Sequence, residues 1–181
     1  TKKKARGRDM KKELGIEDNM IFFVGRHTEQ KGLEHLLYGF KKFLEDNSGT
    51  LVLGGKGHMQ EALQEFTEIL DIEDSVTFQG FIPEEELGDY YSSADVFVSP
   101  SINEPFGLTI TEALEHQTPV VAAESGVEEV LPDNTIVKVS PSSDEICRGI
   151  EEALNREIGS IEGRSWREVA EETLEVYRDL A

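Results

Sequence analysis

Residues 95–123 read DVFVSPSINEPFGLTITEALEHQTPVVAA, and this stretch decides the fold class. It begins with one short apolar run, Asp95–Ser99, and ends with another, Pro119–Ala123. Between them, a loop rich in Pro and Gly leads into Thr109–His116, whose pattern predicts a helix. Runs that are apolar throughout, and not only at alternate residues, are typical of strands buried on both faces. The stretch therefore predicts a strand–helix–strand unit of a parallel sheet.

The same alternation continues on both sides of this unit. Further apolar runs predict strands at Met20–Gly25, Thr50–Gly54, Val76–Phe78 and Ile136–Val139. Apolar spacing and helix-start signals predict helices beginning near Leu33, Leu63 and Pro83, and helices at about Ser143–Asn155 and Ser165–Asp179. The sequence thus predicts one α/β domain over residues 1–181, a Rossmann-like, doubly wound parallel sheet of about six strands. Ligands of such sheets bind beyond the carboxyl ends of the strands, so the loops that follow strands are the candidate sites.

The charge of the chain is large and uneven. The 181 residues carry a net charge of −19, yet residues 1–12 form a basic N-terminal segment with seven Lys or Arg and one Asp. So acidic a surface repels the phosphates of nucleic acids, which argues against DNA or RNA as a partner. The excess of acidic over basic side chains is consistent either with adaptation to high salt or with an ordinary acidic surface, and the sequence does not distinguish the two.

Cysteine and histidine usage excludes two classes of site. The single cysteine, Cys147, excludes an internal disulfide and a multi-cysteine metal site. The four histidines lack metal-ligand spacing, so we expect no metal and no resident cofactor. No apolar run approaches the roughly 20 residues needed to span a bilayer. We expect a cytoplasmic location, and because the chain starts in mid-pattern without Met, we expect it to be part of a longer protein.

The loop after the first predicted strand, Gly25–Gly32, carries two cations, Arg26 and Lys31. Both lie at the carboxyl edge of the predicted sheet, beside a helix N-terminus whose free amides favour anions. Such a pair can neutralise a diphosphate. The alternative is an ion pair between Arg26 and Glu29, with Lys31 extended over the surface.

Two further loops carry candidate residues. Gly54–His58 reads GGKGH, in which Gly54 and Gly57 allow either close approach to a ligand or a plain tight turn. The loop and helix after Ser99 carry Glu104 and Glu112, which suit the binding of sugar or ribose hydroxyls because an ionised carboxylate accepts in a bidentate fork. Glu112 is alternatively a partner of the helix dipole.

Five segments together resemble the group 1, or family 4, retaining glycosyltransferases. They are Val24–Gly32, Leu51–Gly57, Phe78–Phe81, Ala94–Ser101 and Glu104–Ala113. The last contains two glutamates with seven residues between them, as in the signature of that family. The resemblance covers about residues 10–180. It implies the C-terminal half of a GT-B architecture, in which two Rossmann-like domains face each other across a cleft.

The resemblance also implies roles for individual residues. Arg26 and Lys31, beside Gly25, would hold the donor diphosphate and stabilise it as the leaving group, and Glu112 would bind the ribose. Glu104 would lie beside the transferred sugar. Backbone groups would meet the rest of the donor, at Gly54, Gly57, Gly80, Phe81, Phe106, Gly107 and Leu108. The family uses a nucleotide-diphosphate sugar as substrate, needs no metal, and transfers the sugar with retention of configuration.

What lies outside this half is also implied by the resemblance. The acceptor would bind to a missing N-terminal domain, and any peripheral membrane contact would be made through that domain. The isolated fragment should therefore bind nucleotide without transferring sugar. Residues 165–179, with Trp166, resemble the closing helix of the family, while the loop around Glu129 departs from its pattern because one of two usual glycines is absent. Two alternatives remain open, an epimerase-type nucleotide-sugar isomerase and a nucleotide-binding module without chemistry.

Overall fold

A computed structural model describes residues 7–102, 107–123 and 135–155. The strands of this part of the chain are β1 Asn19–Val24, β2 Gly49–Gly54, β3 Val76–Gly80, β4 Val96–Ser99, β5 Val120–Ala122 and β6 Val137–Lys138. The helices are α1 Met10–Leu14, α2 Leu33–Asp46, α3 Gln60–Ile69, α4 Glu84–Ser93, α5 Leu108–Glu115 and α6 Ser143–Leu154. The predicted strands and helices are therefore confirmed within a few residues wherever they fall in the described ranges.

Helix α1 is an element that the sequence patterns did not predict. It lies partly inside the basic N-terminal segment, where five residues are too few to show helical spacing of apolar side chains. The side chain of Asp9 caps its first turn, and Gly15 ends it in the left-handed region at φ 68°. Met10 is buried in the core, so this part of the basic segment belongs to the folded domain.

Several predicted features lie outside the described residues. They are the helix at Ser165–Asp179 with Trp166, the altered loop around Glu129, and the two site residues Glu104 and Phe106.

The described strands form one parallel sheet in the order β3-β2-β1-β4-β5-β6. From β1 to β3 the chain moves outward on one side, and it then returns so that β4 pairs with β1 on the other side. The register joins Ile21 to Val96 and Phe22 to Phe97. The strand order thus reverses between β1 and β4, and the crevice above such a reversal is where open α/β sheets bind ligands.

Alternate residues of β1 belong to two separate hydrophobic cores, one on each face of the sheet. Ile21 and Phe23 pack with helices α2, α3 and α6, whereas Met20 and Phe22 pack with α1, α4 and α5. All four side chains are at most 2% exposed. A strand that is apolar throughout is needed here because helices cover both of its faces. Among the described helices, none combines the length and the apolar character that crossing a bilayer requires.

Candidate functional site

The loops that follow β1, β2 and β3 are joined by backbone hydrogen bonds at the carboxyl edge of the sheet. The donors and acceptors are Gly25 N to Gly54 O (3.2 Å), His27 N to Lys56 O (3.1 Å), Gly55 N to Gly80 O (2.7 Å) and Met59 N to His27 O (3.2 Å). These bonds tie together loops that are far apart in sequence. The position of the loop with Arg26 is therefore fixed by the glycine-rich loop as well as by strand β1.

The loop after β1 also touches the segment that follows β4. The amide of Ile102 donates to the carbonyl of Gln30 at 3.0 Å. A Cβ added at Gly32 would lie 2.5 Å from the carbonyl oxygen of Pro100, so only glycine fits at this contact. The cation-bearing loop and the start of the loop that carries Glu104 are thus adjacent at the switch point.

Close packing between loops explains the glycines that follow β2. A Cβ at Gly55 would lie 1.9 Å from the carbonyl oxygen of Gly25, and one at Gly57 would lie 2.1 Å from that of His27. No ordinary Cβ contact is this short, so neither position admits a side chain without movement of the neighbouring loop. The glycines of this turn thus permit a close approach of its backbone to the loop after β1. A contact of Gly54 or Gly57 with a nucleotide stays a prediction.

Replacement of Gly57 by alanine is expected to lower the free energy of unfolding by about 2 kcal/mol, because the methyl group overlaps the backbone of His27. Urea denaturation followed by circular dichroism measures the loss.

Gly15→Ala is the matched control for this prediction. Gly15 has a left-handed backbone at φ 68°, but a Cβ there would meet no atom within 4 Å. Its replacement should cost about 1 kcal/mol from backbone strain alone. A Gly57→Ala variant no less stable than Gly15→Ala would show that the two loops are not tightly packed.

Arg26 and Lys31 stand at the two ends of the loop after β1. Arg26 is exposed, and Lys31 is the half-buried last residue of a short 3-10 turn, Glu29–Lys31. The suggested pair between Arg26 and Glu29 is wrong, because the carboxylate of Glu29 instead meets Nε2 of His58 at 3.0 Å. This hydrogen bond from His58 lowers the pKa of Glu29. Among the described residues, no carboxylate lies within ion-pair distance of the Arg26 guanidinium, which leaves it available to an anion.

Gly80 and Phe81 lie on the next loop of the same edge, at the end of β3. Gly80 has a positive φ of 74°, and the side chain of Phe81 is 73% exposed. The side chain of Lys56 extends to this corner, since a Cβ at Gly80 would lie 3.4 Å from its Cε. Lys56 is thus a further cation at the edge, and sequence reasoning missed it because its loop showed only a glycine-rich turn.

Glu112 is the fifth residue of α5, beyond its first turn. Because the effect of the helix dipole falls off within one turn, a role as dipole partner is not supported. The exposed carboxylate of Glu112 accepts a hydrogen bond at 2.9 Å from the hydroxyl of Tyr91 on α4. Gly107, at φ 56°, precedes α5, and Leu108 begins it with 56% of its surface exposed.

His27 is a second residue that sequence reasoning missed, since nothing in its neighbourhood distinguishes it from a surface histidine. Its side chain is fully buried between Phe23 and Phe78, with ring centroids 6.4 and 6.2 Å away. Nε2 lies 3.3 Å from the carbonyl oxygen of Gly54. A carbonyl only accepts, so Nε2 carries the proton. Nδ1 is buried and has no hydrogen-bond partner among the described residues, which favours the neutral ring. Burial lowers the pKa of His27 below its ordinary value. The ring therefore links the cation-bearing loop to the end of β2.

This burial predicts a loss of stability in mild acid. The unfolded chain takes up a proton on His27 near pH 6.5, whereas the native chain resists protonation to lower pH. The contribution of a neutral His27 to stability is thus present above about pH 6.5 and declines as the pH falls from there towards the native pKa.

The measurement is the difference in free energy of unfolding between the wild type and His27→Gln at several pH values from 7.5 to 5.5. This difference should shrink with falling pH, because the other titrating groups are common to both proteins. His35→Gln, at a half-buried position on α2, is the control for histidine removal. A difference that does not vary with pH would contradict the prediction.

Metal-type side chains and Cys147 are the remaining candidate groups. Within the described ranges, no cluster of His, Cys, Asp or Glu side chains has a geometry suited to a metal ion. Cys147, on α6, is half-buried and packs against the core on the α2 and α6 face of the sheet.

Comparison with known proteins identifies the family. The family model described as glycosyl transferases group 1 matches residues 7–173. This chain belongs to the group 1 glycosyl transferases. An uncharacterized glycosyltransferase of Methanocaldococcus jannaschii is 34% identical, over 94% of this chain and 48% of its own length.

Solved structures share the fold of this chain. HepE of Anabaena, solved in complex with UDP, matches with a TM-score of 0.70 and 25% identity over 78% of this chain and 41% of that one. The C-terminal domain of the group 1 protein LpcC from Francisella tularensis matches with a TM-score of 0.72 and 22% identity, over 84% of both chains. These likenesses confirm the predicted fold, an α/β domain of the GT-B glycosyltransferases.

The group 1 chain spans about half the length of the curated relatives it matches. The names of these relatives describe transferases and synthases, so the alternative of an isomerase is not favoured.

Proposed function

We propose that this group 1 domain is the C-terminal, donor-binding half of a family 4 glycosyltransferase that transfers a sugar from a nucleotide diphosphate with retention of configuration. It would bind the nucleotide and supply the groups that stabilise the leaving diphosphate. An N-terminal half would bind the acceptor. The match in fold to a C-terminal domain and the half-length coverage of the relatives support this division.

One observation carries the proposal. The loop with Arg26 and Lys31 and the segment leading to Glu112 follow β1 and β4, the two strands between which the order of the sheet reverses. The loops touch where Ile102 donates to Gln30. Cations suited to a diphosphate and a carboxylate suited to a ribose would thus flank one crevice. The relative HepE, which shares this fold, was solved with UDP.

The roles follow from the chemistry of each group. Arg26 would bind the diphosphate through its planar fork and Lys31 as a compact charge. Glu112 would accept from the ribose hydroxyls and Glu104 would lie beside the sugar. The base would meet the backbone at Gly80 and Phe81, where the edge is open and the Phe81 ring is exposed.

Other backbone groups would complete the donor site. The amides of Phe106, Gly107 and Leu108 would face sugar or phosphate oxygens, because the free amides at a helix N-terminus attract anions. Gly25, Gly54 and Gly57 would form the floor below the nucleotide.

The reaction that we propose breaks the bond between the anomeric carbon and the diphosphate. Negative charge then develops on the diphosphate oxygen, and Arg26 and Lys31 stabilise it without a metal ion. The departing phosphate takes the proton of the acceptor hydroxyl, which attacks from the same face. The sugar thereby keeps its anomeric configuration.

Calorimetric titration of the 181-residue chain with UDP, GDP and ADP, and then with their sugar derivatives, tests the proposal. We expect one base to bind best, with the same affinity in EDTA as in magnesium, and with weaker binding in Arg26→Ala. Arg148→Ala removes the same charge from α6, where Arg148 pairs with Glu145 and Glu152, and should bind normally.

Two results would contradict the proposal. If none of the three diphosphates bound, the donor site would not be here. If the chain alone transferred sugar to an acceptor, the division into donor and acceptor halves would be wrong.

A further inference from the structure

Beneath the switch point, a buried tyrosine contacts the carboxylate assigned to the ribose. Tyr91 is 1% exposed, yet its hydroxyl donates to Oε2 of the exposed Glu112 at 2.9 Å. The two residues belong to different helices, α4 and α5. The hydrogen bond therefore joins the interior of the domain to a group at its surface.

The position of the Tyr91 ring is set by contacts that do not involve Glu112. The ring meets Phe22 and Phe97 edge-on at centroid distances of 5.5 and 5.4 Å. It stacks on His116 at 5.8 Å with 15° between the planes. Its backbone carbonyl accepts from the hydroxyl of Thr118 at 2.5 Å. Phe22 and Phe97 are register partners in β1 and β4, so the hydroxyl is anchored to the two strands that flank the crevice.

The hydroxyl keeps its proton, so it acts as a donor at every relevant pH. Burial, and to a smaller extent the charge of Glu112, raise the pKa of Tyr91 far above its ordinary value. A carboxylate has about four acceptor positions, of which Tyr91 occupies one on Oε2. No other donor among the described residues contacts this carboxylate, so all of Oε1 and the rest of Oε2 remain for a ligand. An acceptor pair of this kind matches two neighbouring hydroxyls.

We propose that Tyr91 is a positioning residue, which holds the carboxylate of Glu112 in the orientation that accepts from both hydroxyls of a nucleotide ribose. This inference rests on the proposed function, since it concerns the same donor site. The physical reason is the mobility of the acceptor. An exposed glutamate samples many rotamers, and a carboxylate held in advance by an anchored donor loses less rotamer freedom when the ribose binds.

The test compares each ribonucleotide with its 2′-deoxy form. UDP, GDP and ADP and their 2′-deoxy counterparts are titrated into the wild-type chain and into Tyr91→Phe, which keeps the ring and removes only the hydroxyl. The wild type should prefer the ribose form. Tyr91→Phe should bind that form about fivefold more weakly, because the released glutamate side chain then has to be immobilised when the ribose binds. Its affinity for the 2′-deoxy form should change much less.

Tyr90→Phe is the matched control. Tyr90 is the preceding residue of α4, is also 1% exposed, and stacks on Phe22 at 5.4 Å. Burial, and to a smaller extent the charge of Glu86, raise the pKa of its hydroxyl above the ordinary value, while Arg8 acts in the opposite direction. Removal of this hydroxyl should leave the preference for ribose unchanged, although it alters the same core.

A double-mutant cycle separates positioning from a general loss of structure. In Glu112→Gln the acceptor pair is gone, so the further change Tyr91→Phe should not reduce the ribose preference again. An additive effect would mean that Tyr91 acts through the fold and not through Glu112.

The outcomes distinguish this inference from the proposed function. If the wild type bound no diphosphate, or did not prefer ribose, the assignment of Glu112 would fail and the inference with it. If the wild type preferred ribose and Tyr91→Phe kept the full preference, Tyr91 would have no positioning role and the donor site would stand.

Discussion

Replacement of Arg26 by alanine is expected to lower kcat at least tenfold in a protein that carries this domain together with the proposed acceptor-binding half. The guanidinium would contact a diphosphate whose charge grows as the glycosidic bond breaks. An interaction that strengthens towards the transition state affects turnover more than binding. KM for the donor should rise by a smaller factor than the one by which kcat falls. Steady-state kinetics with varied donor concentration measures both.

The control for this prediction is Arg148→Ala, which removes an arginine with the same charge from an exposed site. Arg148 lies on α6 and forms ion pairs with Glu145 and Glu152 at 2.9 Å. A loss of activity caused only by the more negative net charge would appear in both variants. Normal kcat in Arg26→Ala would remove the assignment of this residue to the leaving group.

Replacement of Phe22 by alanine is expected to lower the free energy of unfolding by about 3–5 kcal/mol, the usual cost of deleting a buried aromatic ring. Phe22 is fully buried in β1 and contacts three further aromatic rings, those of Tyr90, Tyr91 and Phe97. Its removal leaves a cavity between the sheet and α4 that this rigid aromatic cluster cannot fill. Urea denaturation followed by circular dichroism gives the value.

Phe81→Ala is the matched control for Phe22, since it deletes the same side chain where 73% of it is exposed. Its effect on stability should stay within about 0.5 kcal/mol, as for most surface substitutions. A loss in Phe22→Ala no larger than this would contradict the packing of the cluster.

The strands and helices were predictable because their signals are local. In β1, the run from Met20 to Val24 is apolar without alternation, and the spacing of Leu33, Leu36 and Phe40 repeats at the helical period in α2. The unbroken apolar run indicates a strand that is buried on both faces, and the helical period indicates a helix with one buried face. Both can be read without knowing which elements pack against them. Helix α1 escaped detection because Met10–Leu14 is too short to show a period.

The candidate site was predictable only in part. Arg26 and Lys31 stood out as the two cations of a loop after a strand. Glu112 stood out as a carboxylate on the helix after another strand, and it also belongs to a family motif. His27 and Tyr91 carried no such signal, although one anchors the cation-bearing loop and the other contacts Glu112. Each is defined by a hydrogen bond to a residue more than 20 positions away, which no local pattern encodes.

The sequence by itself determined the fold class, the order of the elements and the residues with the chemistry for a diphosphate and a ribose. These follow from side-chain type and period, which are properties of short segments. Only the tertiary structure decided that β4 pairs with β1, that Gly55 and Gly57 accommodate the neighbouring loop, and that Tyr91 meets Glu112. The reason is that strand order and loop contact depend on the packing of the whole chain, in which segments far apart in sequence lie side by side.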